Sequence, residues 1–217
     1  MMERHILVVL AHPDDEAFGV SGFIALNTAQ GVPVTYVCAT LGEMGRNMGN
    51  PMIANRETMP ALRLEELNEA CAAIDLQDLR LLGYRDKTVE FESREEIADR
   101  IGQIIEETNP SLIVTFDSKH AVHPDHNAIG AATLLAVSRI PEEKRPTVYL
   151  KAFSKNCREE MGNPDIEIDV SAVLDKKLNS LRAHASQTAS MIREAEVDRN
   201  PGVLAYLSKE VYWTYRH

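Results

Sequence analysis

The chain has 217 residues, of which 44% are hydrophobic and 26% charged, and its formal net charge is −10. This composition is ordinary for a globular protein, and the length predicts one domain over residues 1–217. The acidic balance argues against nucleic acid or an anionic membrane as a partner, because both require a basic surface.

The cysteines and the N-terminus bear on the compartment. Cys38, Cys71 and Cys157 form no CxxC pair and no spacing typical of a metal site. No apolar stretch approaches the roughly 20 residues of a membrane span, and the first residues carry no leader pattern. We therefore expect a cytoplasmic protein with reduced thiols.

Short apolar segments alternate with helical patterns along the chain. We predict strands at 5–10, 34–40, 78–82, 112–116 and 147–153, and helices at about 17–30, from Thr58, from the Ser93–Glu96 capping box, and up to Ser138. Residues 166–170 alternate like an edge strand or hairpin arm, Ser171 is expected to cap a final long helix, and the apolar tail at 211–215 is expected to dock. The alternation predicts one doubly wound α/β domain with a mostly parallel sheet.

Polar motifs follow two of the predicted strands. Residues 11–16 read Ala-His-Pro-Asp-Asp-Glu after the first strand, and 123–126 read His-Pro-Asp-His after the strand at 112–116. The carboxyl ends of parallel strands form the edge at which ligands bind in open α/β sheets. A loop rich in glycine and asparagine at 41–51 leaves the same edge.

These motifs supply the ligands of a catalytic metal. His12 and Asp15 are three residues apart and can converge on one ion, to which His126 adds a second imidazole. Two imidazoles and a carboxylate are a standard catalytic zinc set, whereas magnesium prefers an all-oxygen shell. We therefore predict Zn²⁺, although Fe²⁺ or Mn²⁺ could occupy the same ligands.

The remaining motif residues predict hydrolysis. Zinc lowers the pKa of a bound water toward ~7, and Asp14, which points away from the ligands, is the candidate general base. His123 would lie across the site, where a protonated imidazole stabilises an oxyanion or protonates a leaving amine. Asp125 lies between the two histidines and could orient an imidazole.

Two other classes of function compete with a zinc hydrolase. An Asp-Asp pair after the first strand also occurs in magnesium phosphoacceptor domains. Such a domain needs a nucleophilic Asp at its third strand and a Lys or Thr partner, and it leaves the histidines unexplained. A metal-binding module without catalysis is the other alternative, but competent residues at every proposed catalytic and ligand position argue against it.

The paired motifs resemble those of the PIG-L/LmbE-like metal-dependent N-deacetylases. Four further segments are similar to family motifs: Thr40-Leu41-Gly42-Glu43 with Gly45, Arg63-x-x-Glu66-Leu67, the loop residue Asp86, and His184-Ala185-Ser186-Gln187. The resemblance implies a Rossmann-like fold with helices on both faces, and hydrolysis of an N-acetyl group on a glucosamine moiety. It also implies a homo-oligomer, a trimer or hexamer.

The resemblance assigns roles at the site. It implies the same ligands and the same base, and it makes Arg63 and Asp86 partners of sugar hydroxyls, with Glu43 and Arg46 as further candidates. An Arg on a helix and an Asp in a loop are, however, most often simply solvated. One position departs from the family: where some members carry a tyrosine that assists the oxyanion, this chain has Ala121.

Within the family the chain is similar to the bacillithiol-pathway deacetylases, which act on N-acetylglucosaminyl malate. Arg46, Arg56 and Arg85 lie in loops at the same sheet edge and could receive the malate carboxylates. Amidases of thiol-cofactor S-conjugates and deacetylases of other N-acetylglucosamine glycosides, such as chitooligosaccharides, use the same chemistry, and only substrate profiling separates the three.

Overall fold

The computed structural model describes residues 3–46 and 52–216, and the strands of these residues form one seven-stranded sheet. They are β1 (Ile6–Leu10), β2 (Val34–Cys38), β3 (Asp78–Leu81), β4 (Leu112–Phe116), β5 (Thr147–Lys151), β6 (Ile166–Asp169) and β7 (Lys209–Thr214). The order is β3-β2-β1-β4-β5-β7-β6, in which β1 to β5 are parallel and β7 runs antiparallel to both of its neighbours. The predicted, mostly parallel sheet is confirmed.

The helices divide into two packed groups. They are α1 (Asp15–Gly19), α2 (Ser21–Thr28), α3 (Met59–Ala73), α4 (Arg94–Thr108), α5 (Pro124–Ser138), α6 (Cys157–Met161), α7 (Leu174–Ala183), α8 (Ala185–Ile192) and α9 (Pro201–Leu207). Helix α4 packs against α5, and α7 packs against α2 and α3. The strand order reverses at β1, so right-handed crossovers place α2 and α3 on one face and α4 and α5 on the other. Across the described residues, none of these helices has the length and apolarity needed to cross a bilayer.

Burial explains why β1 is a continuous apolar run. Every residue from Ile6 to Leu10 has a relative exposure of 0%, as a central strand covered on both faces requires. At the other end of the sheet, β6 alternates between half-buried and exposed residues and is an edge strand, as predicted. The apolar tail docks as β7, between β5 and β6.

The helix predicted at about 17–30 is interrupted at Val20. The backbone N–H groups of Gly22 and Phe23 each donate to the carboxylate of Glu210, at 2.9 Å. A helix N-terminus has unpaired N–H groups and favours negative charge, so this distant carboxylate starts a second helix where the local pattern predicts continuation.

Two other predictions concern the C-terminal helices and the loop at 41–51. Ser171 does not cap a long helix: it begins a short 3₁₀ turn, and α7 starts only at Leu174. Further helices, α8 and α9, follow α7. The loop is described as far as Arg46, and its remaining residues, 47–51, lie outside the described part of the chain.

We predict opposite effects of alanine at two glycines inside helices. A Cβ at Gly130 of α5 would lie 2.3 Å from the carbonyl oxygen of Phe116, whereas a Cβ at Gly102 of α4 meets nothing within 4 Å. Gly130→Ala should therefore lower the free energy of unfolding by about 1–3 kcal/mol. The matched control Gly102→Ala should raise it by about 0.5–1 kcal/mol through helix propensity. Urea unfolding midpoints measure both; equal shifts would mean that α5 does not pack this closely on β4.

Candidate active site

The two polar motifs meet between the carboxyl ends of β1 and β4. These strands are neighbours, and the strand order reverses between them, which is where open α/β sheets bind ligands. A cleft of about 380 Å³ opens there. The predicted site residues that line it are His12, Asp14, Asp15, Arg46, Arg63, Asp86, His123 and His126.

His12, Asp15 and His126 are arranged as ligands of one metal ion. His12 Nδ1 lies 3.0 Å from His126 Nε2 and 3.6 Å from Asp15 Oδ2, and His126 Nε2 lies 3.2 Å from Asp15 Oδ1. Tetrahedral zinc with bonds of about 2.0–2.1 Å places neighbouring ligand atoms roughly 3.3 Å apart. The three side chains therefore fit a shared zinc-sized ion.

The outward nitrogens of both imidazoles are held by oxygens. His12 Nε2 lies 3.2 Å from both Asp125 Oδ2 and Asp86 Oδ1. His126 Nδ1–H donates to the carbonyl of Ala121 at 3.2 Å, and the ring stacks on Phe116. These contacts fix the tautomers and leave His12 Nδ1 and His126 Nε2 as the nitrogens that could bind a metal ion.

Asp125 contacts His12. Its carboxylate is fully buried, lies outside the residues lining the cleft, and accepts the backbone N–H groups of Lys87 at 2.7 Å and Val89 at 3.2 Å. A carboxylate held this firmly gives His12 one orientation. The contact is compatible with the orienting role predicted for Asp125, which stays a prediction.

The carboxylates favour positive charge at this point. Burial lowers the pKa of His12, but its hydrogen bonds to Asp125, Asp15 and Asp86 outweigh burial and raise that pKa well above its usual value. Burial likewise raises the pKa of Asp15, yet the charge of His126 and the contacts with His12 bring it well below normal. A proton or a metal ion can satisfy such a site.

Asp14 lines the same cleft, and its side chain pairs with Arg63. Its backbone has φ +104°, a strained conformation for a residue with a side chain, and Oδ2 accepts from Arg63 Nη2 at 2.8 Å. Burial raises the pKa of Asp14 to about 6 against the opposing charge of Arg63. A carboxylate with a pKa near neutrality is suited to general-base work.

Arg63 holds the turn that carries Asp14. The buried guanidinium also donates to the carbonyl of Pro13 and, at 3.1 Å, to that of Gly42. A Cβ at Gly42 would lie 1.8 Å from Arg63 Nη1, so only glycine leaves room for this contact. The structure thus gives Arg63 a positioning task, and its predicted contact with sugar hydroxyls stays a prediction.

His123 is the N-cap of α5. Its Nδ1 accepts the backbone N–H of Asp125 at 3.2 Å, so the remaining proton is on Nε2. Burial and the charges of His12 and His126 lower the pKa of His123. The sequence predicts a protonated imidazole here, but the structure favours the neutral form, which still donates one hydrogen bond.

Asp86 and Glu43 brace two loops beside the cleft. Asp86 Oδ2 accepts from the backbone N–H of Met44 at 2.8 Å, and Glu43 Oε2 accepts from that of Asp86 at 3.0 Å. Burial raises the pKa of Asp86, but the hydrogen bond and charge of His12 outweigh burial and lower it. Glu43 therefore supports the loop, while Asp86 both supports it and reaches the cleft.

The predicted arginines are placed differently from one another. Arg46 is exposed and lines the cleft. Arg56 Nη1 instead donates to the carbonyl of Gly45 at 2.6 Å and to that of Glu43 at 3.3 Å, and among the described lining residues neither Arg56 nor Arg85 occurs. Lys87, which the sequence analysis did not select, lines the cleft beside Arg46.

Sequence reasoning also missed the role of Glu16. This carboxylate is fully buried: Oε1 lies 2.5 Å from His184 Nε2, and Oε2 accepts from Tyr36 Oη at 3.0 Å and from the backbone N–H of Asp14 at 3.1 Å. Glu16 thereby anchors the Asp14 turn from below. Both motifs are visible in the sequence, but nothing local indicates that Glu16 pairs with a histidine 168 residues away.

Ser186, in the motif at 184–187, is hydrogen-bonded to α3, the helix that carries Arg63. Glu66 on α3 accepts both the backbone N–H and the hydroxyl of Ser186, each at 2.7 Å. The motifs at 63–67 and 184–187 are therefore one structural unit that supports the site.

Comparison with known proteins agrees with the motifs. The family model described as PIG-L, GlcNAc-PI de-N-acetylase, matches residues 7–137. A relative from Bacillus cereus, named "Probable N-acetyl-alpha-D-glucosaminyl L-malate deacetylase 2", is 51% identical over 218 residues, covering 99% of each chain.

Two solved structures share the fold. An N,N'-diacetylchitobiose deacetylase from Pyrococcus horikoshii has a TM-score of 0.75 at 22% identity, covering 98% of this chain and 84% of its own. A 4-carboxy-2-hydroxymuconate hydratase from Pseudomonas putida has a TM-score of 0.73 at 21% identity, covering 99% and 97%. Because one neighbour is a deacetylase and the other a hydratase, the shared fold alone does not decide the reaction.

We predict that the two histidines of the second motif differ in metal binding. His126→Ala should weaken Zn²⁺ affinity by more than about 100-fold, because it removes a ligand. His123→Ala should leave the affinity within a few-fold of the parent, as should the control His5→Ala at the opposite end of β1. Isothermal titration of the metal-free proteins with Zn²⁺ measures this. An empty site in the His123 variant would exchange the roles of the two histidines.

Proposed function

The chain belongs to the PIG-L family of GlcNAc-PI de-N-acetylases, and we propose that it hydrolyses the N-acetyl group of an N-acetylglucosamine conjugate with the help of a bound metal ion. The observation that carries the proposal is the convergence of His12, Asp15 and His126 beside a separate carboxylate, Asp14, in one cleft. The ligand set is nitrogen-rich, which favours zinc, with Fe²⁺ or Mn²⁺ as alternatives.

We further propose N-acetylglucosaminyl malate as the substrate, and hence a place in bacillithiol biosynthesis. The name of the 51% identical relative supports this choice. So does the cleft, because Arg46 and Lys87 place two exposed cations in its wall, where they can receive the two malate carboxylates. Lys87 Nζ also donates to the carbonyl of Met44 at 3.1 Å, which holds the ammonium in place beside the cleft.

In this mechanism Asp14 moves the proton. A zinc ion held by His12, Asp15 and His126 would supply Lewis acidity and would lower the pKa of water toward ~7. Arg63 occupies Oδ2 of Asp14, so Oδ1 is the oxygen that takes the proton from the attacking water. The same proton then passes to the amide nitrogen as the C–N bond breaks, which yields acetate and the free amine.

His123 stabilises the charge that develops on the acetyl oxygen. Its Nδ1 is engaged at the start of α5, so Nε2–H is the donor available to that oxygen. Ala121 replaces the tyrosine that assists the oxyanion in some family members. In this chain His123 Nε2–H therefore supplies the hydrogen bond to the acetyl oxygen.

We also propose a cytoplasmic location. Cys38, Cys71 and Cys157 are all unpaired and buried, and free thiols are typical of reducing compartments.

The substrate proposal predicts a clear order of activities. The zinc-loaded protein should release amine from N-acetylglucosaminyl malate faster than from N-acetylglucosamine, from chitooligosaccharides or from an S-conjugate of the thiol cofactor. Arg46→Ala and Lys87→Ala should each raise KM for the malate substrate up to about fivefold, as expected for an exposed ion pair, while the control Arg85→Ala should not. A fluorescamine assay measures the amine. Faster release from the S-conjugate would assign the protein to conjugate hydrolysis instead.

The assignment of the base predicts a loss of turnover without loss of metal. Asp14→Asn keeps an oxygen for Arg63 but cannot accept the proton, so kcat should fall by ~10²-fold or more. The control Asp99→Asn, an exposed carboxylate on α4, should turn over normally. Metal content by mass spectrometry and kcat by amine release are read on the same samples; near-normal turnover of the Asp14 variant would refute its role.

A further inference from the structure

A second cleft lies at the same edge of the sheet, where β5 ends and β7 begins. Its volume is about 270 Å³, and its lining shares no residue with the candidate active site. Lys151, Lys155, Arg158 and Lys209 contribute four basic side chains to the lining, and we call it the cationic cleft. The proposed deacetylation uses none of them.

Lys151 is the buried member of this set. Only 5% of the residue is exposed, yet it lines the cleft. Its Nζ donates to the carbonyl of Val211 at 3.0 Å and lies 4.5 Å from the ring centre of Tyr212. No carboxylate of the described residues lies within ion-pair distance of this ammonium. Burial lowers its pKa to about 8, although the nearby charge of Glu210 opposes that shift. A buried ammonium without a carboxylate is costly, and a bound anion would offset that cost.

Among the described residues that line the cleft, the one acidic side chain is already engaged. The carboxylate of Glu210 pairs with Lys177 and accepts the backbone N–H groups of Gly22 and Phe23 and the hydroxyl of Tyr212. Two buried lysines therefore share the neighbourhood of one carboxylate, and Lys177 holds it. Lys151 has no carboxylate partner of its own among the described residues.

The rest of the lining indicates the kind of ligand. Lys155 and Arg158 are exposed, and within the described part of the chain neither has a carboxylate partner, whereas Lys209 pairs with Glu167 at 2.7 Å. Phe18, Phe153, Tyr206 and Trp213 add aromatic surface to the lining. The volume lies just below the roughly 300–1,000 Å³ of pockets for drug-sized ligands, so the occupant must be small.

We propose that the cationic cleft is a second ligand-binding site, for a small organic anion whose carboxylate or phosphate group pairs with Lys151 and whose flat apolar body lies against the aromatic lining. Both halves of this description are needed. Inorganic anions alone leave the aromatic surface uncovered, and a neutral aromatic compound leaves Lys151 without its counter-charge.

Trp213 makes binding directly measurable, because it is the single tryptophan of the chain and lines the cleft. The metal-loaded protein is titrated with benzoate, with phenyl phosphate and with benzamide, a neutral analogue of benzoate, at constant ionic strength. We expect a saturable change in Trp213 fluorescence with at least one of the two anions and none with benzamide at the same concentrations. A response to benzoate alone assigns a carboxylate ligand, and a response to phenyl phosphate alone assigns a phosphate ligand. No saturable response to either anion, or an equal response to benzamide, overturns the proposal.

Variants test the residues. Lys151→Met should weaken the anion by roughly 30-fold or more, as loss of a buried charge partner does, and Arg158→Met by up to about fivefold. The control Lys144→Met, an exposed lysine outside the cleft, should not change the affinity. His126→Ala should also leave it unchanged, which excludes binding at the metal site.

If Lys151→Met fails to fold, the double substitution of Lys155 and Arg158 by methionine decides, because both side chains are exposed. Unchanged affinity in that variant overturns the proposal.

Discussion

The crowding of carboxylates at the carboxyl end of β1 is the constraint on which the site depends. Asp14, Asp15, Glu16, Asp86 and Asp125 all lie near His12, and an unpaired buried carboxylate is costly. Most of them are satisfied within the chain, by backbone N–H groups, a tyrosine hydroxyl, a histidine or an arginine. Asp15 Oδ2 accepts the backbone N–H groups of Ala11 and His12, and the same carboxylate lies against both imidazoles. This group of side chains could hold a cation, and a cation bound there would stabilise the fold.

The crowding of carboxylates also gives the adjacent residues Asp14 and Asp15 different environments. Asp15 faces the imidazoles, which lower its pKa, whereas the left-handed backbone of Asp14 turns its side chain toward Arg63, and burial raises its pKa to about 6. Two carboxylates whose environments push their pKa values apart serve different functions. Gly42 is needed for this arrangement, because any side chain at residue 42 would displace the Arg63 guanidinium that holds the Asp14 turn.

The features that depend on local sequence, such as the strands and the motifs that follow them, were predicted correctly. The apolar runs of β1 and β4 and the motifs that follow them were sufficient to place His12, Asp15 and His126 together, because parallel strands bring their carboxyl ends to one edge. The break at Val20 was not predictable, because its cause is a carboxylate 188 residues away. The engagement of Arg63 with Asp14 and two carbonyls was missed for a related reason: a motif indicates which residues matter, but whether a side chain faces substrate or backbone depends on tertiary packing.

The two clefts at one sheet edge differ in their balance of charge. The described lining of the cleft at β1 and β4 has three carboxylates and three permanent cations beside its three histidines. The described lining of the cleft at β5 and β7 has four cations and one carboxylate, although the chain as a whole has a net charge of −10. Composition cannot predict the second cleft, because its charge depends on which side chains pair with one another. The Glu210 carboxylate pairs with Lys177 and accepts backbone N–H groups at the start of α2. Lys151 is buried and has a carbonyl as its hydrogen-bond acceptor. Gly19 leaves room for the Lys151 side chain, because a Cβ at residue 19 would lie 3.1 Å from Lys151 Cε. The helix break that interrupts the first crossover and the unpaired charge of Lys151 are therefore two consequences of the same buried carboxylate.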